Sequence, residues 1–386
     1  MRKTSNAGTE PEPGRPALLR RINDRAAFEL LLSGGPRSRT ELVRLTGLAA
    51  PTTTQLLDRL ATRGLVLPAG IQEGGRGPNA KLFSANAKAA HIAAVDVTHQ
   101  HIEVSVADLT GQVVSTARTG HSALSRLRAV VDAAAAQAGL RTGDLARVAL
   151  GCPGALNPDT GRLAFADHLT GWQQPALAGR LAEELAVPVS VHNDVNLVAR
   201  AEQAVGVARG SESFVWLWLD EGLGMALVLD GRIRSGATGA AGEVSYLPVP
   251  GIPLSRTVRT GGHGGYQLIA GAEGVLELAR EFGLIGETAW EVTARGNELF
   301  LRELAVRIAT GLAAVICVLD PELVVLGGRT ATAGGDCLLA MLAEELSGVA
   351  VSQPRLAFSE VVGNPVLAGA LLVAREATLD DLFAPE

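Results

Sequence analysis

Apolar positions recur with a helical period from Asn23-Asp24 through Ala27, Leu30 and Leu31, until Gly34-Gly35-Pro36 breaks the pattern. A second helix is predicted from Arg39, because Ser38-Arg39-Thr40-Glu41 is a capping box whose hydroxyl and carboxylate satisfy orphan amides of the first turn. Leu42, Val43 and Leu45 give this helix an apolar face, and Gly47 permits the left-handed turn that ends it. Pro51 then stands where a new helix tolerates a missing N–H. On that third helix Thr53, Leu56, Leu57 and Leu60 fall on one side, while Thr52, Gln55, Arg59 and Arg63 share the other. Two short strands, Leu65-Val66-Leu67 and Lys81-Leu82-Phe83, flank Gly74-Gly75-Arg76-Gly77-Pro78-Asn79. Helix, tight turn, helix and a glycine-rich hairpin make a winged helix-turn-helix, expected over residues 18–90 behind a polar, disordered arm at 1–17.

From His91 the period changes to two. Ile92–Val97 and Ile102–Asp108 read as neighbouring strands, a helical stretch is expected after Val113-Val114 as far as Gln137, and Val148-Ala149-Leu150 is a strand running into Gly151-Cys152-Pro153-Gly154. A second strand series opens at Phe214–Leu219 and Met225–Leu229, so this part is a layered α/β domain of two similarly built lobes with a ligand cleft between them.

Charge sharpens the division. Up to Ala90 there are fourteen Lys/Arg against seven Asp/Glu; beyond it there are twenty against thirty-three. A small basic module on an acidic body suits binding to a phosphate backbone, where each neutralised phosphate releases counterions. Gln and Arg side chains pair bidentately with base edges in a major groove, and an arginine between glycines reaches a minor groove. The candidate contacts to double-stranded DNA are Arg39, Thr52, Thr54, Gln55, Arg59, Arg63 and Arg76, with Arg59 expected to read a base. The N-terminus has no apolar run that would export or anchor the chain, which places it in the cytoplasm with no membrane partner. Three scattered cysteines, Cys152, Cys317 and Cys337, read as buried reduced thiols.

Several short motifs stand in a specific order: the winged helix with Gly-Arg-Gly-Pro, Asp96 after its strand, Gly151-Cys152-Pro153-Gly154, Gly171-Trp172, Asn193-Asp194-Val195-Asn196, Gly239-Ala240-Ala241-Gly242-Glu243 and Leu326-Gly327-Gly328. In that order, from about Ile22 to about Ala374, the sequence resembles the ROK family of repressors, open reading frames and kinases. The resemblance implies a two-lobed actin-like (ribonuclease H-like) sugar-kinase fold over 91–386, with lobe one about 91–193, lobe two about 194–365 and a C-terminal helix returning to lobe one. It also implies that Asp194 stands where the kinases keep the base for a sugar hydroxyl.

The departures matter as much. The kinases follow the first aspartate with glycines and a threonine, whereas this chain has Asp96-Val97-Thr98-His99-Gln100-His101. Their Gly-Thr-Gly-x-Gly turn is replaced by Asp220-Glu221-Gly222-Leu223-Gly224, which sets two carboxylates where a triphosphate would lie. Each such repulsion is on the order of a few kcal/mol at close range. The zinc motif Cys-x-Cys-Gly-x-x-Gly-Cys aligns with Arg259–Tyr266, leaving only His263, so no metal and no cofactor is expected. Of the family's sugar contacts Asn193, Asp194 and Glu243 remain, while His168 and Tyr246 replace an asparagine and a histidine and Leu268 replaces a glutamate.

These readings converge on a transcriptional regulator, a repressor in its expected sense, that responds to a carbohydrate or related small molecule bound by Asn193, Asp194, Glu243, His168 and Tyr246. A homodimer would read half-sites about one helical turn apart. An active sugar kinase with an accessory domain and a constitutive DNA-binding protein with a vestigial pocket are the alternatives.

Overall fold

A computed structural model describes residues 16–72, 80–166, 169–256 and 262–384. Contacts divide the chain into two compact units: one gathers residues up to Ile92 with 107–112 and 375 onward, the other 93–106 with 113–374.

In the first unit the capping box forms as its residues require, with the Ser38 amide donating to Glu41 Oε2 at 2.7 Å and the Glu41 amide to Ser38 Oγ at 3.3 Å. It starts α2 (Arg39–Thr46), and Gly47, at φ 70°, ends it. Around it stand α1 (Pro16–Gly34) and α3 (Ala50–Thr62), with a sheet ordered β1 (Arg37–Ser38), β3 (Ala80–Ala85), β2 (Val66–Gln72). The first helix therefore starts seven residues before Asn23. Leu18, Leu19 and Ile22 lie exposed along this extension, so it carries no amphipathic period to read. Of the expected disordered arm, residues 1–15 lie outside the described residues; Pro16 and Ala17 are helical.

The unit's core is discontinuous in sequence. Phe28, Leu31, Leu42, Leu56 and Leu60 pack with Leu109, Leu379 and Phe383, and the Phe28 and Phe383 rings lie 5.8 Å apart. This differs from the contiguous 18–90 domain expected above. The last helix, α12 (Pro365–Leu382), is divided: its residues up to 374 stay with the large unit, where Val366 stands against Gly151 as a return to lobe one requires, and those from 375 group with the winged helix. Phe383→Ala should destabilise this unit by about 3 kcal/mol, the usual cost of emptying a buried aromatic site. Hydrogen exchange should then quicken in α1 and α3 while the large unit keeps its protection.

In the second unit, the first sheet has the order β10 (Val189–Asn193), β7 (Leu145–Cys152), β4 (His91–Val97), β5 (Ile102–Asp108), β6 (Val113–Thr119). The second is ordered β13 (Arg232–Ile233), β12 (Leu223–Leu229), β11 (Phe214–Leu219), β14 (Leu323–Gly327), β15 (Arg355–Phe358). Counted along the sequence, each runs third, second, first, fourth, fifth, which is the repeated lobe that an actin-like fold requires. A small hairpin, β8 (Ala155–Leu156) with β9 (Leu163–Ala164), projects after β7. Helices α4 (Leu127–Gln137) and α5 (Leu177–Leu185) pack in lobe one; α6 (Asp194–Val205), α7 (Gly265–Ala270), α8 (Ala272–Glu281), α9 (Ala289–Ala294), α10 (Glu298–Leu319) and α11 (Arg329–Val349) follow.

Two expectations need correction here. Residues 113–119 form a strand rather than the start of a helix: β-branched Val113, Val114 and Thr116 suit a pleated edge, and Ser105 and Thr116 bond across it at 3.2 Å. Only Cys152 is buried; Cys317 and Cys337 are exposed. Their apolar sequence neighbours point to other faces of α10 and α11, which sequence proximity does not reveal. Among the described residues no helix is long and apolar enough to cross a membrane.

Candidate functional site

Helix α3 presents the first candidate surface. Thr53, Leu56, Leu57 and Leu60 are buried, which turns Thr52 and Gln55 outward into solvent. Arg39 on α2 donates to Thr54 Oγ1 at 3.1 Å, placing a guanidinium beside the same face. Arg59 and Arg63 are engaged within the unit. Arg59 makes a two-pronged ion pair with Asp24 of α1 at 2.6 and 3.0 Å. Arg63 donates to the Leu382 carbonyl and lies over the Phe383 ring, 5.1 Å from its centre. A helical wheel assigns all four residues to one polar face; partners 35 and 319 positions away decide which of them stay outward. Arg76 lies outside the described residues.

The second candidate is a cleft of about 760 Å³ in the large unit. Asn193 ends β10 and caps α6, accepting from the Asn196 amide at 2.9 Å while its Nδ2 donates to the Gly154 carbonyl at 3.1 Å. The next residue, Asp194, opens α6 and accepts from the Val195 amide at 2.8 Å. Glu243 follows Gly242, whose φ of 97° and close approach to the Met225 carbonyl leave no room for a side chain: a Cβ would stand 2.0 Å from that oxygen. Asn193, Asp194, Glu243 and Tyr246 thus face one cleft; His168 lies outside the described residues.

Burial raises Asp194 to about 6 and Glu243 to about 7, with the Asp194 charge adding to the second. Asp96, also raised by burial to about 7, is opposed in this by a 2.8 Å bond from Asn364 and assisted by Asp194. Carboxyls raised on folding hold protons that the unfolded chain has already released above about pH 4. Stability from them is complete below that point and is lost as pH climbs through 6 to 7. Urea midpoints should therefore fall between about pH 5 and about pH 8, and the double variant Asp96→Asn, Glu243→Gln should flatten the fall. An unchanged slope in that variant would show these carboxyls are not the source.

The other end of the cleft holds Asp220 and Glu221. Their expected repulsion of a triphosphate is tempered, because Arg329 at the start of α11 pairs with Asp220 at 3.0 Å and with Glu221 at 3.5 Å. His99 Nδ1 lies 3.1 Å from the far oxygen of Glu221, bringing the turn after β4 against the turn after β11. His101 Nδ1 faces Thr98 Oγ1 at 2.9 Å and the Arg118 guanidinium at 3.1 Å, so the ring accepts there, and burial followed by the Arg118 charge lowers its pKa. This ion-paired cluster occupies the turns that follow β4 and β11. The role of Arg329 is not foreseen from the sequence, since its partners are 109 and 108 positions away. His263 lines the same cleft, and no cluster of three metal-ligating side chains occurs among the described residues.

Residues 92–370 match the model of the ROK family. A xylose repressor of Caldicellulosiruptor bescii is 23% identical over 86% of this chain and 89% of its own. The DNA-binding transcriptional repressor Mlc of Escherichia coli K12 is 24% identical over 70% of this chain and 68% of its own. A glucokinase of Halalkalibacterium halodurans is 30% identical, but over 55% of this chain and 69% of its own. The crystal structure of a ROK family transcriptional regulator, a homologue of the E. coli Mlc protein, superposes with a TM-score of 0.76 at 20% identity, covering 95% of this chain and 98% of its own. A Streptomyces griseus ROK glucokinase holding glucose and AMPPNP superposes at 0.60 and 21% identity, covering 74% of this chain and 100% of its own. At these identities the structural likeness speaks for the fold.

Proposed function

The chain belongs to the ROK family, and from that premise we propose that it is a DNA-binding transcriptional repressor whose kinase-like cleft senses a carbohydrate instead of phosphorylating it. The observation that carries this is the cleft's two unlike ends. One keeps Asn193, Asp194 and Glu243, acceptors and donors suited to sugar hydroxyls, while the other is lined by the Asp220–Glu221–Arg329–His99 cluster. A triphosphate entering there must break ion pairs and confront two carboxylates. The winged helix supplies the output: Thr52 and Gln55 on α3 face a major groove, with Arg39 and Arg76 as backbone or minor-groove contacts. The repressor relatives support the same reading, the C. bescii protein matching 86% of the chain and the glucokinase 55%.

The protein acts as a homodimer reading paired half-sites, and the sugar shifts it between a DNA-competent state and a released one by binding the two with different affinity. Asp194 at the base position is what favours the rival kinase reading. Coupled ADP release over a sugar panel decides between them: no turnover is expected, and turnover abolished by Asp194→Asn would overturn this proposal. Thermal shifts against the same panel separate a sensor from a vestigial pocket, since a bound effector must raise the unfolding temperature.

A further inference from the structure

We propose that the paired rings of Phe165 and Tyr246 are the specificity determinants of the cleft, a stacking wall that takes the apolar face of a ring sugar and discriminates against acyclic polyols. This rests on reading the cleft as a carbohydrate sensor. It starts from a strained residue: Phe165 sits at φ 58°, where a bulky side chain is disfavoured by on the order of 1–3 kcal/mol and persists only if its surroundings impose it.

The surroundings do so. Phe165 leaves the β8–β9 hairpin over Gly154, where a Cβ would stand 2.3 Å from the Ala164 carbonyl and 3.1 Å from Ala166 Cβ. Gly154 is also the residue to which Asn193 donates, so the aromatic ring and the polar contact share one support. Tyr246 is delivered the same way from lobe two. It follows Glu243 by three residues, and a Cβ on Gly264 would stand 2.2 Å from its Cα. The two rings meet with centres 5.3 Å apart at 48°, and both line the cleft with Asn193, Asp194 and Glu243.

That wall has a chemical counterpart. A pyranose presents a rim of hydroxyls and a face of C–H groups; the rim suits the carboxylates and amide, and the face suits a π-surface. An acyclic polyol offers as many hydroxyls but no flat apolar face, so the wall should tell the two apart.

The test uses the full-length protein and calorimetric titration with D-glucose, D-xylose and N-acetyl-D-glucosamine beside two acyclic polyols, D-glucitol and xylitol. At least one ring sugar should bind roughly tenfold or more tighter than its acyclic counterpart. Phe165→Gly, which accepts a positive φ without strain, and Tyr246→Leu should each erase that preference while the thermal transition stays intact. Asp194→Asn should weaken cyclic and acyclic ligands alike. A preference that survives both aromatic variants, or polyols binding as well as ring sugars, overturns the stacking wall and leaves the sensor standing. Failure of every probe to bind the unaltered protein removes the sensor reading and this one with it.

Discussion

Glu202→Ala is expected to lower the stability of the large unit by about 3 kcal/mol. The carboxylate is fully buried on α6, two turns beyond Asp194. Its Oε1 accepts from the Val207 amide at 2.7 Å and the Glu360 amide at 3.2 Å; its Oε2 accepts from Ser359 Oγ at 2.6 Å and Trp216 Nε1 at 3.4 Å. Four donors lose their acceptor together in alanine, and a buried donor without one costs on the order of 1–3 kcal/mol. Solvent entering the gap and relief from burying a charge offset part of that sum. Gly206 permits the close approach, since a Cβ there would stand 2.0 Å from Oε1. Glutamine tests the account. With its amide nitrogen turned to Ser359, whose hydroxyl can accept, only the long Trp216 bond is lost, so Glu202→Gln should cost about 1 kcal/mol. Urea midpoints of the two variants should therefore separate clearly; coincident midpoints would mean that volume, not hydrogen bonding, sets the loss.

The double variant Thr52→Ala, Gln55→Ala should lose about 2–4 kcal/mol of affinity for its genomic sites, on the order of a hundredfold, without loss of fold. Both side chains are exposed, so truncation removes no core contact. Arg59→Ala should behave in the opposite way. Its guanidinium is paired with Asp24, a nearly buried carboxylate, and stranding that charge should destabilise the winged helix by about 2 kcal/mol while base preference stays the same. Footprinting across the genome supplies the sites, and competition binding on them ranks the variants. A changed base preference in Arg59→Ala would restore the role that the helical wheel alone assigns to it.

The contrast between these residues marks what is legible in a linear polypeptide. Local chemistry is readable: the Ser38–Glu41 box, the Gly47 stop and the buried set Thr53, Leu56, Leu57 and Leu60 all stand where spacing predicts, because each depends on neighbours within four residues. The order of motifs was sufficient to bring Asn193, Asp194, Glu243 and Tyr246 to one cleft. Long-range pairings leave no such trace. Nothing near Arg63 announces Leu382 and nothing near Asp220 announces Arg329, so the sequence pattern shows neither the partner that holds Arg63 nor the counter-charge beside Asp220. The strand at 113–119 escapes for a related reason: its burial alternates, but the inward positions are Ser115, Ala117 and Thr119, so no apolar alternation marks it in the sequence, and its neighbour β5 supplies the order. The left-handed backbone of Phe165 has no sequence signature at all.

The packing of Leu379 and Phe383 among the side chains of α1, α2 and α3 bears on how such proteins are recombined. A crossover placed after residue 92 would transplant three helices and a wing without two of the side chains that fill their centre. A functional transplant must therefore carry residues from 375 onward together with those up to 92, and recombination between relatives should keep these segments matched more faithfully than the large unit between them.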